Sequence, residues 1–598
     1  MAVASKSRLM LVSELIETAL TEPRDRAFGE RLGAAQWRYT SSTRMRERAA
    51  AIASALRAAG ARQGDRVVLI ANNSVDWLAV NFGIHYAGCV VVPIFATLAH
   101  DQTDYIFKDS AAKLAFVETS AAAGRIRADC PSAPRLIHFD GVGENSLGAF
   151  EASATVDAAP AEVRSSFAAG IGSHDLAVLI YTSGTTGHPK GVMLLNSNIV
   201  SNAHASSEYS RGGLLEEPGY PVLSVLPFAH IYEHNNILGY LLRRAEIHVS
   251  TPEFLIEDLK SVRPKFLAFV PRMFERILAG IVGKAVAGGG VRAKLVPWAL
   301  QVGHDYCAAT VESRKSSPML PLQYAVAQRL VLSKIKPAAG LDRIASIVSG
   351  SAPLHRDIAL TFAGIGLSIM EGYGLTETSP VLTSSRAGAA RYGSVGKPIP
   401  GVELRIADDG EILARGPSVM KGYYNLPAED PFTEDGWFKT GDVGNFDADG
   451  FLYITDRKKE LIKTSGGKYI APSRVESALK RSIYIGQCFI VGDGRPFPIA
   501  LVCPDWKLVR KQLEIAPDES NAALVARSDV LELMLREVKE KTADLATFEQ
   551  IRRIALLPRD LTVEDGELSP TMKVKRRVVE QKFAALIASA YAPSVSAH

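Results

Sequence analysis

The sequence predicts an α/β protein: a large N-terminal domain of parallel-sheet α/β subdomains with an antiparallel, barrel-like part, then a small α+β C-terminal domain. Three observations lead there. Over most of the chain, short apolar runs (residues 66–71, 176–181, 266–270, 344–349 and 367–370) alternate with longer helix-compatible stretches, the pattern of parallel strands joined by crossover helices. Between Gly393 and Tyr453 the texture changes to short strands (402–406, 411–415, 451–454) separated by Asp-Asp-Gly, Asp-Gly and Asp-Ala-Asp-Gly turns, which reads as antiparallel pairing. After Asp456 and the basic Arg457-Lys458-Lys459, a further unit of independent-domain size follows. The expected divisions are 1–455, a connecting stretch 456–460, and 461–598.

Individual elements follow in order. Residues 1–22 interrupt their apolar stretch with Glu14 and Glu17, so they lack the continuous core of a secretion signal. Residues 77–99 contain no Asp, Glu, Lys or Arg and are long enough to span roughly 30 Å as a helix. Asn81, Gly83, His85, Gly88 and Pro93 interrupt that run, and a soluble reading fits better: a helix over Val75–Tyr86, a stop near Gly88, and a buried strand 89–92 ended by Pro93. Residues 274–336 read as helical, with Gly288-Gly289-Gly290 as a loop between two helices. The C-terminal unit reads as a strand (461–464), a helix from Pro472, strands at 488–491 and 500–503, helices within 529–545, and a last strand at 553–557.

Composition narrows the function. Of 598 residues, 47% are hydrophobic and 22% charged, which excludes disorder along the whole chain and supports several domains. Lys+Arg 68 against Asp+Glu 64 gives a net charge of +4, too small to argue for a nucleic-acid partner. The cysteines, Cys89, Cys130, Cys307, Cys488 and Cys503, are scattered without a Cys-x-x-Cys pair. That set fits a reducing, cytoplasmic setting and rules out a thiolate metal cluster. Peripheral membrane contact and oligomeric state stay open.

The segment richest in chemistry is LAVLIYTSGTTGHPKGVMLL, residues 176–195. Two apolar strands flank a loop in which Thr182, Ser183, Gly184, Thr185, Thr186, Gly187, Lys190 and Gly191 supply four hydroxyls, three glycines and a lysine. Glycines admit backbone N–H groups to phosphate oxygens, hydroxyls donate further hydrogen bonds, and the lysine adds charge. A Walker A loop requires Gly-Lys-Ser/Thr opening a helix, whereas Pro189-Lys190-Gly191 runs into a strand. By composition alone, a polar hairpin tip is an equal reading.

YTSGTTGHPKGV resembles the phosphate-loop signature of the adenylate-forming superfamily: acyl-CoA synthetases, peptide-synthetase adenylation domains and luciferases. Four more segments resemble that family's motifs in the correct order: residues 371–378 (EGYGLTET), 440–442 (TGD), 456–460 (DRKKE) and 570–577 (PTMKVKRR). The resemblance implies that ATP and a carboxylic acid form an acyl-adenylate, that coenzyme A then takes the acyl group, and that the small domain is mobile. It implies that Thr182–Gly187 and Lys190 hold ATP phosphates and that Glu377 binds Mg2+, with Thr185 as a further candidate. It also implies an AMP pocket made by Gly350, Ser351, Ala352, Pro353, Glu371, Gly372, Tyr373, Gly374, Thr376, Asp442 and Arg457. Lys573 matches the catalytic lysine, Lys459 the hinge, and His230, in Leu-Pro-Phe-Ala-His, a residue between acyl and thiol channels. Lys463, Gly466, Gly467 and Lys468 are candidates for coenzyme A contact.

Residues 269–276 (FVPRMFER), the long helical stretch and the wording of residues 465–472 and 569–577 resemble the long-chain fatty acyl-CoA synthetase branch. An acyl-AMP ligase loading a carrier protein, or a medium-chain or aryl acid CoA ligase, remain the alternatives. A phosphate-loop kinase and a non-enzymatic adenylate-binding module are further readings, against which Pro189 and the presence of both Glu377 and Lys573 count. For an isolated His, Tyr or Asp, the structural reading is the common one.

Overall fold

The computed structural model describes residues 11–154, 159–182, 188–211, 218–312, 317–386, 391–428, 430–466, 468–562, 564–568 and 574–592. The chain forms two compact units: Met1–Arg405 with Leu413–Thr440 and Phe446–Tyr453, and Ile406–Ile412 with Gly441–Asn445 and Ile454–His598.

Two large sheets build the first unit. The six-stranded sheet runs in the order Arg135–His138, Leu114–Val117, Arg66–Ile70, Val90–Ile94, Leu176–Thr182, Lys190–Leu195, parallel except for the last pair. The nine-stranded sheet has a parallel centre and antiparallel strands at both edges. The helix Val75–Tyr86 forms where expected, with Ser74 accepting a hydrogen bond from Trp77 N at 3.0 Å as its N-cap. It is buried almost all round because it lies within a core shared by both sheets.

The strand that follows corrects the sequence reading. Pro93 does not end it; the strand runs Val90–Ile94, with Pro93 opposite Leu69. A proline removes one ladder donor, and pairing with Leu176–Thr182 is confined to Val91 opposite Val178. The missing N–H therefore costs that ladder nothing. The helical region divides at the glycines, with helices Pro271–Ala287 and Gly290–Glu312 and left-handed backbone at Gly289 and Gly290. Among the described residues, no helix is long and apolar enough to cross a membrane.

The barrel-like part is a four-stranded antiparallel sheet in sequence order: Glu403–Ile406, Glu411–Arg415, Phe438–Phe446, Leu452–Arg457. In the smaller unit, Ile485–Val491 pairs antiparallel and Arg553–Leu556 parallel with Ile499–Pro504. Helices Pro472–Leu479 and Ser528–Lys541 contribute Val475, Leu479, Leu533 and Met534 to the core over them. Arg576 lies across the ring of Phe489 and pairs with Glu476 at 2.8 Å and Glu460 at 3.3 Å.

A buried carboxyl in the first unit gives a pH signature. Glu233 is fully enclosed on the helix Ile231–Leu242, where the Ser224 hydroxyl donates to Oε1 and Asn236 Nδ2 donates to Oε2 at 3.1 Å. Burial pushes its pKa up from 4.5 to about 7, against the smaller opposing pull of those hydrogen bonds. Between these values the folded chain holds the proton that the unfolded chain releases, so this group's contribution to stability falls as pH rises through that window. Glu233→Gln should lose less melting temperature than the native chain between pH 5 and pH 8, recovering up to about 3 kcal/mol. Parallel melting curves across that range would refute the buried-proton account.

Candidate active site

The antiparallel pair Leu176–Thr182 and Lys190–Leu195 sets the base of the loop expected to bind phosphate, with Thr182 opposite Lys190. Ser183, Gly184, Thr185, Thr186 and Gly187 lie outside the described residues. Residues 420–424 run alongside the second strand: Lys421 N donates to Met193 O at 3.0 Å, Met193 N to Gly422 O at 3.1 Å, and Tyr424 N to Gly191 O at 2.7 Å. Gly191 suits this close approach, because a Cβ there would stand a tight 3.1–3.2 Å from Leu179, Tyr181 and Tyr424. The segment carries Tyr423 between two predicted residues. Its ring receives Lys190 Nζ at 5.3 Å, and its hydroxyl donates to Glu377 Oε1 at 3.0 Å. Burial, and then the Glu377 charge, push the phenol pKa up, so it remains a donor.

The strand Ile369–Gly374 and the following turn carry Glu371 to Thr376. Gly374 must lack a side chain, since a Cβ would fall 1.7 Å from Pro380 O. The turn is held by Asn202, which accepts from Val381 N at 3.2 Å and donates to Val381 O at 2.8 Å and Thr378 O at 3.3 Å. Met420 N donates to Glu377 O at 2.8 Å, tying the turn to the segment that bears Tyr423. Glu371 faces inward. Burial raises its pKa to about 7, while backbone N–H groups of Gly393 and Leu354 pull the other way. It thereby joins its strand to the loop of Gly350, Ser351, Ala352 and Pro353. In that loop Gly350 N donates to Phe269 O at 3.1 Å and Ser351 adopts left-handed backbone. A Cβ at Gly350 would meet the Tyr232 ring at 3.0 Å. Tyr373 is half-buried against the large core.

His230 stands at the N-terminus of the helix Ile231–Leu242, where its Nδ1 accepts from Tyr232 N at 3.2 Å. A neutral imidazole so placed carries its proton on Nε2. The structural role weighed for a lone histidine is present here, as a helix cap.

In the smaller unit, Arg457 Nε lies 3.2 Å from Asp442 Oδ1, and Asp442 is almost fully enclosed. Lys459 is exposed in a turn closed by Glu460 N donating to Arg457 O at 3.0 Å. Both neighbours are tethered: Lys458 pairs with Glu411 at 2.8 Å and Glu460 with Arg576 at 3.3 Å. Lys463 and Lys468 are exposed beside the hairpin of Ile462–Lys463 and Tyr469–Ile470, and Gly466 sits in its turn. Gly467 and Lys573 lie outside the described residues.

With this geometry in hand, known proteins decide the family. A model of the AMP-binding enzyme family matches residues 16–424, and one of the AMP-binding enzyme C-terminal domain matches residues 459–594. The chain belongs to this family. Its relatives include the long-chain-fatty-acid–CoA ligase FadD15 of Mycobacterium tuberculosis, 37% identical over 550 residues and covering 89% of each chain. The human long-chain-fatty-acid–CoA ligase ACSBG1 is 30% identical over 576 residues, 89% of this chain and 78% of that one. The crystal structure of the anthranilate CoA ligase AuaEII in complex with anthranoyl-AMP shares the fold, with a TM-score of 0.71 at 19% identity over 97% of this chain and 98% of that chain.

Two residues of this AMP-binding enzyme escaped the sequence reading. Tyr423 was one aromatic in a Gly-Tyr-Tyr-Asn turn, and Asn202 one polar residue among many in the helix Asn196–Arg211. Neither had a local signal, because their partners are far away in the chain. Tyr423→Phe removes a hydrogen bond to a carboxylate, of about 1.5–3 kcal/mol. It should lower kcat/KM for ATP by roughly 10-fold or more, with little change in melting temperature. Unchanged ATP kinetics would show that Glu377 does not depend on it.

Proposed function

We propose that this protein joins a long-chain fatty acid to coenzyme A through an acyl-adenylate. The observation that carries this reading is the match, along nearly the whole chain, to relatives named long-chain-fatty-acid–CoA ligases. In the first step a carboxylate oxygen attacks the α-phosphorus of ATP, the bond to the β-phosphate oxygen breaks, and pyrophosphate leaves. In the second, a thiol sulfur attacks the acyl carbon, AMP leaves, and the thiol proton passes to solvent.

Lys190 and the loop residues Thr182 to Gly187 would bind the phosphates, and Asp442 and Arg457 would serve the ribose. Glu377 is a hard oxygen donor held by Tyr423, and the described residues contain no group of three or more His, Cys, Asp or Glu able to hold a metal alone. That donor set suits Mg2+ bound mainly through phosphates. When bound, Mg2+ would neutralise phosphate charge. Lys573 would bring the carboxylate and α-phosphate together and stabilise the charge that develops between them. Lys459, exposed between tethered neighbours, would absorb the dihedral change between the two steps. The hairpin carrying Lys463, Gly466, Gly467 and Lys468 would then meet coenzyme A.

We further propose that the protein touches a bilayer through the helices Gly290–Glu312 and Leu320–Ala327 and the turn Gln328–Leu332. Val291, Trp298, Met319, Leu322, Val326 and Leu330 are exposed there, three of them recurring every four residues. Lys284, Arg292, Lys294, Arg329 and Lys334 are exposed on the same stretch, as is the acid Asp305. Apolar side chains with a cationic rim suit an anionic lipid surface, where each Lys or Arg adds about 1 kcal/mol.

Lys573→Ala should abolish pyrophosphate release from a graded series of fatty acids while leaving thioester formation from supplied acyl-adenylate. Equal loss in both assays would remove the two-step assignment. Leu322→Glu with Leu330→Glu should weaken sedimentation with phosphatidylglycerol vesicles by at least about 10-fold. Equal binding by native and variant protein would place the membrane contact elsewhere.

A further inference from the structure

The helix Val75–Tyr86 carries Trp77, Asn81 and His85 at four-residue spacing, so the three side chains share one face. That face is sealed: the residues are 1%, 3% and 5% exposed. His234, 2% exposed, belongs to the same group. Its ring meets Trp77 edge-on at 6.0 Å, and its charge would repel that of His85. Trp77 in turn packs on Phe228 at 5.2 Å, two residues before His230. His234 lies one helical turn past His230, its backbone N–H donating to the His230 carbonyl at 3.0 Å.

Among the described residues, Trp77 Nε1, Asn81 Oδ1 and His85 Nε2 have no hydrogen-bond partner, and the ring nitrogens of His234 make none of normal geometry, a weak pull from the Phe228 backbone apart. Buried polar atoms are almost always paired, and each orphan is a cost to folding. Burial keeps both imidazoles neutral, with His85 lowered to about 3 and His234 to about 4. The group thus offers an indole donor, an amide acceptor, and two rings that each donate once and accept once. It holds no cation for a carboxylate or phosphate and no carboxylate for a metal ion. What it suits is an uncharged oxygen that both donates and accepts, as a hydroxyl does.

We propose that Trp77, Asn81, His85 and His234 form a recognition site for a hydroxyl group carried along the acyl chain, so that hydroxylated long-chain acids are the preferred substrates. The inference rests on the proposed acyl activation, with His230 beside the acyl channel as the resemblance implies. Four residues of helix advance about 6 Å, so a chain passing His230 meets His234 within its first several carbons. A hydrocarbon tail leaves all five atoms unpaired, and sites built to bond a hydroxyl discriminate strongly against analogues lacking it.

The test compares a positional series of monohydroxy sixteen-carbon acids with the unsubstituted acid, scored as the ratio of kcat/KM values for AMP release by the full-length protein. One position, or a few adjacent ones, should exceed the unsubstituted acid by roughly 10-fold or more. In Asn81→Leu and His234→Phe that ratio should fall to about 1; being a ratio, it is not imitated by a general loss of activity. Turnover of the unsubstituted acid with no position preferred by the native protein would overturn the proposal, assigning the orphan atoms to buried water and leaving acyl activation intact. No turnover of any acid would instead overturn the reading on which it rests.

Discussion

Three backbone hydrogen bonds seat residues 420–424 along the strand Lys190–Leu195, and the cationic and anionic ends of the site are related through that contact. Lys190 belongs to a strand of the six-stranded sheet, whereas Glu377 belongs to a turn beyond the nine-stranded one. Tyr423 meets both, with its ring face toward the ammonium and its hydroxyl on the carboxylate. The arrangement leaves little room for bulk at Gly191, and Asn202 holds the turn in place. The groups proposed to handle a polyphosphate are thus mounted on sheet and clamped turn rather than on free loop, which is how precise placement is achieved.

Much of this was legible in the sequence, for identifiable reasons. Alternating apolar runs and helical stretches gave the parallel sheets, and the helix read over about 75–86 forms at Val75–Tyr86, because Gly88 is a strong stop signal just beyond it. Pro93 misled because its cost depends on which flank of the strand is paired, a fact of tertiary structure. The edge hairpin of Phe28–Gly33 and Gln36–Thr40 is half-exposed without a clean alternation, so it had no pattern to read. In the site, motif residues could be found as strings. Tyr423 and Asn202 could not, since what distinguishes them is a partner 46 to 179 positions away.

The same contrast divides the buried polar groups. Glu233, Asn202 and Arg576 each meet hydrogen-bonding partners, and their enclosure is explained by the elements they join. Trp77 and His234 pack through their rings, but the sealed polar atoms of Trp77, Asn81, His85 and His234 lack such partners. A set of sealed polar atoms that stabilises no neighbour is the kind of local inconsistency expected where selection acts on what the protein binds.

The smaller unit is not one continuous piece of chain. Lys458 finds its carboxylates on Asp409 and Glu411, and Gly441 N donates to Glu411 Oε1 at 2.9 Å, so strands from three separated segments close around it. A gene fragment starting at residue 454 would release that ammonium into water and bare the edge of the last strand before the turn. Recombination between homologous enzymes therefore has to exchange the 406–412 and 441–445 ribbons together with the C-terminal portion, or the chimera inherits mismatched counter-charges around Lys458.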